Sequence, residues 1–535
     1  MTGDSGSSPM RKSRWSSDAA VLIYVALATV VFHWLTGNRY GFHRDELALL
    51  DDARHLAWGY VAYPPLTAFF ARVSLALFGA SLTGFRFFAA VAEAAALVLT
   101  GLMARDMGGQ REAQLVAVAA GLPWCLAAGS LMTYSSFDYF FWVLAAYFVV
   151  RRLKTGDPRW WLGIGGAIGL GMMAKYSMLF FATGIVAAVL LTELRRDLRS
   201  RWLWYGLSAS LLIFLPNLLW EARHQFISLD FLADIHSRDI RIGRAKGFLF
   251  PGQLQITMLA LPIWLAGLYY CLMTKAGRRF RALGWMCLVP LGLLVAARGR
   301  SYYMGAGYPM LYAAGSTWGE PWVRSMRRGW AWTLRATVGV ILAVDVVVMA
   351  LFALPIAPTR SQWFKNQIRA DSVLGDEFGW QELVETIARV RDGLPAADRA
   401  RLGIVAGNYG EAGAIDLYGP RYGLPRAISG VDSYWQRGYG DPPPQTLIVV
   451  GLTREFLADH FSSCQVVAQN GNRYGVENEE TLYHKDIYVC RGLYQPWPVF
   501  WKDFRYFGSI ALPGSRESGV RLGNRDSLAT GSSRG

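Results

Sequence analysis

The chain has 535 residues, of which 53% are apolar, 14% aromatic and only 17% charged, and its mean hydropathy is +0.22. Soluble domains carry about a quarter charged residues, so this composition excludes an ordinary soluble protein and predicts a polytopic α-helical membrane protein. The formal net charge of +15 does not point to nucleic acid, because the lysines and arginines gather in short stretches between apolar runs, as topology signals do.

In chain order, residues 1–18 are Ser-rich and carry Arg11, Lys12 and Arg14, and no small-residue cleavage site follows the first apolar run. That pattern predicts a cytoplasmic tail and a signal anchor, with a first span from about Asp18 to Thr36. Ten further apolar runs begin near Phe85, Ala113, Phe137, Trp160, Ser177, Trp202, Leu254, Ala282, Met304 and Trp330. Each is close to the ~20 residues that cross a bilayer as helix, giving about eleven transmembrane helices over 19–355. The run from Trp160 to Leu191 is interrupted by Lys175, and only two spans there keep every arginine-rich connection on one face. Those connections hold Arg105 and Arg111; Arg151, Arg152, Lys154 and Arg159; Arg195, Arg196, Arg199 and Arg201; Lys275, Arg278, Arg279 and Arg281; and Arg324, Arg327 and Arg328. An odd number of spans then puts the chain after about Pro355 outside, on the same face as the connection that follows the first span.

From 356 to 510 the composition shifts to that of a soluble domain. Glu382 to Val390 has helical spacing, and four short β-branched runs, Gly403–Ala406, Thr446–Val450, Gln465–Ala468 and Ile487–Cys490, predict strands of an extracytoplasmic α/β domain. The segment Gly407–Ala414 follows a strand but lacks the G-x-G-x-x-G order, which argues against a nucleotide site. Residues 511–535, rich in Ser, Gly and Arg, predict a disordered tail. The five cysteines show no zinc-ligand spacing; Cys125, Cys271 and Cys287 fall in apolar runs, while Cys464 and Cys490 can pair if their domain lies outside the cytosol.

The first external connection carries the chemistry. Arg44-Asp45-Glu46 is followed by Ala53-Arg54-His55-Leu56 and by Tyr60 to Leu66, which contains Tyr63-Pro64-Pro65. Two carboxylates just beyond a span sit where ionisable groups mark function, although a solvated loop is the competing reading. The pattern resembles the first external loop of the polyprenyl-phosphate-sugar-dependent glycosyltransferases of family 39, which includes protein O-mannosyltransferases and lipid A aminoarabinose transferases and has the GT-C membrane fold. The likeness covers roughly residues 20 to 320. It also touches Gly407 to Gly413 and Ser429 to Trp435.

The resemblance implies that Asp45 is the base, beside Glu46, and that Asp138, in the external Ser135–Tyr139 turn, is the family's second acid. A helix N-cap is the other reading of Asp138. Arg44, Arg54, His55 and Tyr63 become candidate substrate contacts; the aminoarabinose transferases have lysine where this chain has Tyr63.

Lys175, Arg298, Arg300, Tyr302 and Tyr303 are candidate donor-phosphate ligands, since guanidinium offers forked donors and phenols add hydroxyls. Snorkelling side chains in an aromatic belt are the alternative. The stretch from Glu221 to Gln255, with His224, Asp230, Asp234, His236, Arg238, Asp239, Arg241, Arg244 and Lys246, reads as a mobile lid or acceptor loop. No ligand spacing indicates a metal, and a divalent ion is left open.

The expected enzyme transfers a sugar, with inversion, from a polyprenyl-phosphate donor to an envelope glycan, lipid or protein at a bacterial inner membrane. Lipopolysaccharide is among the acceptors this implies. A lipid or envelope-precursor transporter is the rival, though neither inverted halves nor mid-membrane breaks are evident. A scaffold would need neither Asp45 nor Asp138.

Overall fold

The structure is a computed structural model that describes residues 18–241, 243, 252–370 and 372–508. The proposed tails before residue 18 and after 510, together with Arg244 and Lys246, lie outside the described residues. The chain divides into two compact units. The first takes most of the chain up to Phe378, without 228–246, and adds Asn472–Asn478; the second holds Ser228–Lys246, Gly379–Gly471 and the chain from Glu479 onward.

The first unit is helical. Its elements are α1 (Asp18–Thr36), α2 (Arg44–Arg54), α3 (Leu66–Phe78), α4 (Leu82–Asp106), α5 (Arg111–Ala128), α6 (Tyr134–Thr155), α7 (Trp160–Ala174), α8 (Met178–Leu191) and α9 (Arg201–Arg223). Then, beyond α10 (Ile227–Arg241), come α11 (Gln253–Thr257), α12 (Leu261–Met273), α13 (Arg281–Ala296), α14 (Pro309–Ser325), α15 (Arg328–Ala353) and α16 (Gln362–Ala370).

Each of the eleven apolar runs is helical. Among the described residues six helical segments are long and apolar enough to cross a membrane, or seven if the bent pair around Thr192 counts as one. The other runs fall short for local reasons. α5 spends its first turn on Arg111, Glu112 and Gln114, α6 ends in Arg151, Arg152 and Lys154, and α14 carries Glu320, Pro321 and Arg324. α7 and α8 have 15 and 14 residues, about 22 Å at 1.5 Å per residue. As the charge pattern requires, they are separate helices, parted at Lys175, whose backbone is extended. α4 is the most enclosed span, while α15 and α9 leave most of their apolar surface uncovered, as lipid-facing helices do.

The stretch 356–378, expected in the soluble domain, packs instead with the helical unit. Ala357, Phe364, Leu374 and Phe378 form one core with Tyr40 and Val476.

The second unit contains α10, α17 (Trp380–Asp392), α18 (Ala396–Ala400), α19 (Tyr409–Tyr418), α20 (Arg454–His460), α21 (Glu479–Tyr483) and α22 (Trp497–Asp503). Its strands are β1 (Leu402–Ala406), β2 (Ala427–Ile428), β3 (Thr446–Val450), β4 (Phe461–Gln469) and β5 (Asp486–Leu493). They form a mixed sheet in the order β2-β1-β3-β5-β4, parallel across β2-β1-β3 and antiparallel beyond. The expected strands are all present; β2 is two residues long and gave no periodic signal.

The expected lid is corrected in part, because Ile227–Arg241 is a helix and its Phe231 meets the ring of Phe507. At the β1–α19 corner, the Asn408 side chain and the Glu411 carboxylate form a capping box. Glu411 accepts from the amides of Gly407 and Asn408, so the protein supplies its own anion where a phosphate would otherwise bind.

Cys464 and Cys490 are register partners on β4 and β5 and are joined by a disulfide. Cys125, Cys271 and Cys287 are free and buried. Alkylation in denaturant without reductant should therefore label three cysteines, and five after reduction, as counted by intact mass. Five labels before reduction would contradict the pairing.

Candidate active site

α2 begins with a histidine in place of the usual hydroxyl cap. The extended backbone of His43 lets its Nδ1 accept the Asp45 N–H at 3.2 Å, while Glu46 Oε2 accepts the His43 N–H at 2.9 Å, completing a capping box. Burial holds the His43 imidazole below its ordinary pKa. A neutral ring accepting at Nδ1 carries its proton on Nε2, which faces Asp376 Oδ2 at 3.8 Å.

This start divides the two carboxylates. The Asp45 side chain is 41% exposed, whereas Glu46 is fully buried.

Glu46 is held by Arg86 of α4, whose Nε and Nη2 donate to its two oxygens at 2.8 and 2.7 Å, and by the Met132 amide at 2.9 Å. Arg86 also donates to the carbonyls of Gly37 and Gly41 at 3.0 and 3.1 Å and to Glu377 at 3.3 Å. Buried ions persist only when they are paired and hydrogen-bonded, and here Met132, Gly37, Gly41 and Glu377 add to the bonds between Glu46 and Arg86. Gly41 is required there: a Cβ would stand 2.2 Å from the Glu377 carbonyl oxygen.

Met132 leads directly into α6, whose first turn faces Lys175. The Lys175 ammonium donates to Ser135 Oγ at 3.2 Å and lies over the rings of Tyr303, Tyr302 and Tyr134 at 4.2, 5.0 and 5.1 Å. Cation–π contact stabilises the charge without using its protons. The ammonium has three, and the described residues supply one hydrogen-bond acceptor, so this site can take anionic oxygen. Arg300 hydrogen-bonds Tyr302 and so joins the same group.

Asp138 is buried beside it, accepting from Ser177 Oγ at 2.6 Å and from Trp142 Nε1 at 3.0 Å. The N-cap of α6 is Thr133, so Asp138 does not cap the helix. It ties α6 to the turn after Lys175.

The remaining predicted residues separate. Tyr63 donates to Asp52 Oδ2 at 2.6 Å, and burial together with Asp52 pushes its phenol well above the ordinary value. Its ring packs against Tyr134 at 5.5 Å, making it a wall of the lysine site rather than a cation. His55 pairs with Asp51 at 3.1 Å, and Arg44 is buried. Arg54 and Arg298 are exposed, and Arg298 takes a left-handed backbone at φ 49°. Among the described residues no group of three or more His, Cys, Asp or Glu gathers to hold a metal.

Residues 62–220 match the family model of dolichyl-phosphate-mannose-protein mannosyltransferases. A lipid A galacturonosyltransferase, RgtD of Rhizobium johnstonii, is 25% identical over 261 residues, 46% of this chain and 54% of that protein. The chain thus matches about half the length of this curated relative. In fold, ArnT from Cupriavidus metallidurans bound to undecaprenyl phosphate matches with a TM-score of 0.53 at 14% identity, over 88% of this chain and 98% of ArnT. Apo ArnT from the same organism matches with a TM-score of 0.50 at 14% identity, over 89% and 98%.

The chain shares the GT-C fold of ArnT, and residues 62–220 are similar to the mannosyltransferase family. Within the GT-C fold, sequence reasoning missed Arg86, Tyr134, Ser177 and Glu377 as parts of the site and gave His43 and Ser135 no role of their own. Arg86 had a signal of its own, an arginine enclosed by Phe85, Phe87 and Phe88, since a charge inside an apolar run implies a buried partner.

Proposed function

We propose that the protein is an integral membrane glycosyltransferase that moves a sugar from a polyprenyl-phosphate donor to an acceptor hydroxyl or amine of the cell envelope. The observation that carries this reading is the pairing of a half-exposed carboxylate, Asp45, with a tyrosine-walled ammonium, Lys175, through one turn. Met132 of that turn holds Glu46, the neighbour of Asp45, and Tyr134 and Ser135 hold Lys175.

Asp45 removes the acceptor proton as the acceptor attacks the anomeric carbon. Lys175, with Arg300 and Tyr303, steadies the departing lipid phosphate. One carboxylate suffices because phosphate is already a good leaving group, and a single in-line displacement inverts the anomeric centre. Asp138 positions Lys175 by fixing the turn between α7 and α8.

Undecaprenyl phosphate bound to ArnT and the lipid A acceptor named for RgtD support a lipid-linked donor and a lipid or glycan acceptor. The Cys464–Cys490 bond supports placing the second unit in an oxidising compartment, hence outside the inner membrane with Asp45.

The deciding experiment is mass spectrometry of envelope lipids, glycans and proteins from a deletion strain beside its parent. A sugar-bearing species should vanish and return with the wild-type gene but not with an Asp45→Asn copy; unchanged profiles would overturn the reading. For the donor clamp, Arg300→Ala should raise the donor KM about tenfold to a hundredfold and Tyr303→Phe about two- to tenfold, as charged and neutral hydrogen bonds differ. An unchanged KM in Arg300→Ala would move the clamp elsewhere.

A further inference from the structure

The turn between α14 and α15 carries a second feature, remote in sequence from Asp45 and Lys175. Here a groove of about 380 Å³ is lined by Trp322, Arg327, Trp330, Thr333, Leu334 and Thr337. Trp322 and Trp330 are 62% and 71% exposed, and both flank a helix pair whose second member is one of the apolar spans. Arg327 lines the groove, and Arg324 and Arg328 are its near neighbours in the chain. Arg324 is engaged with Glu320 at 2.9 Å, whereas Arg327 and Arg328 are exposed and have no ion-pair partner among the described residues.

An apolar groove lined by two exposed indoles and the Arg327 guanidinium, with the exposed Arg328 next in the chain, complements one kind of molecule. Indole rings prefer the headgroup level, and guanidinium binds phosphate through forked donors. We infer that this groove binds an anionic glycerophospholipid, its phosphodiester on Arg327 and Arg328 and one acyl chain along Trp322, Leu334 and Thr337. Basic pockets between spans recruit acidic headgroups in this way. A zwitterionic lipid gains less, because its ammonium would face the same arginines. The site serves the membrane side of the protein and does not depend on the proposed transfer reaction.

The test uses the full-length protein, washed in mild detergent and incubated with phosphatidylglycerol or phosphatidylcholine, with bound lipid counted by native mass spectrometry. The wild type should retain about one phosphatidylglycerol through washes that remove phosphatidylcholine. Arg327→Ala with Arg328→Ala should lower retention about tenfold or more, while Arg327→Lys with Arg328→Lys keeps most of it. Thr337→Trp, which fills the groove and removes no charge, should also lose the lipid. Circular dichroism and gel filtration confirm that each variant is folded.

Three outcomes would overturn the proposal: equal retention of both lipids by the wild type, undiminished phosphatidylglycerol in both the alanine and Thr337→Trp variants, or an equal loss in Arg195→Ala with Arg196→Ala, which removes charge from another connection. Displacement of the bound lipid by equimolar undecaprenyl phosphate would also overturn it, since the groove would then belong to the donor.

Discussion

Asp45→Asn should lower sugar transfer by roughly 10²- to 10⁴-fold, the usual worth of a general base, while leaving protein level and membrane insertion unchanged. The substitution keeps the shape of the side chain and leaves intact the Asp45 backbone N–H that donates to His43, so α2 keeps its cap. The side chain is 41% exposed and lies 3.9 Å from the His43 ring, and an asparagine there keeps a polar group facing that ring. The loss belongs to turnover, and donor binding persists. Single-turnover transfer with a labelled polyprenyl-phosphate sugar separates the two, and a stable variant with parental turnover would end the mechanism.

Arg86→Met should have the opposite signature. It leaves Glu46 and Glu377 as buried carboxylates without their cation, and breaking a buried pair on one side costs about 3–5 kcal/mol. The expected result is a sharp fall in the amount of inserted protein and in its unfolding temperature, read by thermal unfolding in detergent. Pairing Arg86→Met with Glu46→Leu should cost less than the sum of the two changes, because residues of one network are coupled. Additive losses would show that the ion pair does not organise α2.

The helical half was legible because each apolar run is long enough to impose its own period and its flanks carry charge. Lys175 is the best case, since a single lysine in a continuous apolar stretch forced two helices, and two are present. The candidate site was legible only in part. Asp45 and Glu46 are indistinguishable as adjacent acids, and what separates them is Arg86, forty residues later, which no local pattern connects to α2. Tyr134 and Ser135 likewise acquire a role only when α6 meets the α7–α8 turn. Ile227–Arg241 was missed as a helix because its apolar face is broken by Asp230, Asp234, His236 and Arg238. β2 was missed because two residues make no period.

The two short helices that meet at Lys175 have a consequence for the lipid around them. At about 22 Å each, they fall well short of the ~30 Å hydrocarbon layer, and a bilayer meets a short apolar segment by thinning beside it. A bilayer crossed by α7 and α8 would dip toward Lys175, and the phosphate of the proposed lipid-linked donor would reach the ammonium with less of its tail drawn out of hydrocarbon. The proposed transfer then depends on bilayer thickness: its rate in vesicles should rise as acyl chains shorten toward the length of α7 and α8, and a rate indifferent to thickness would show that these helices carry no such mismatch.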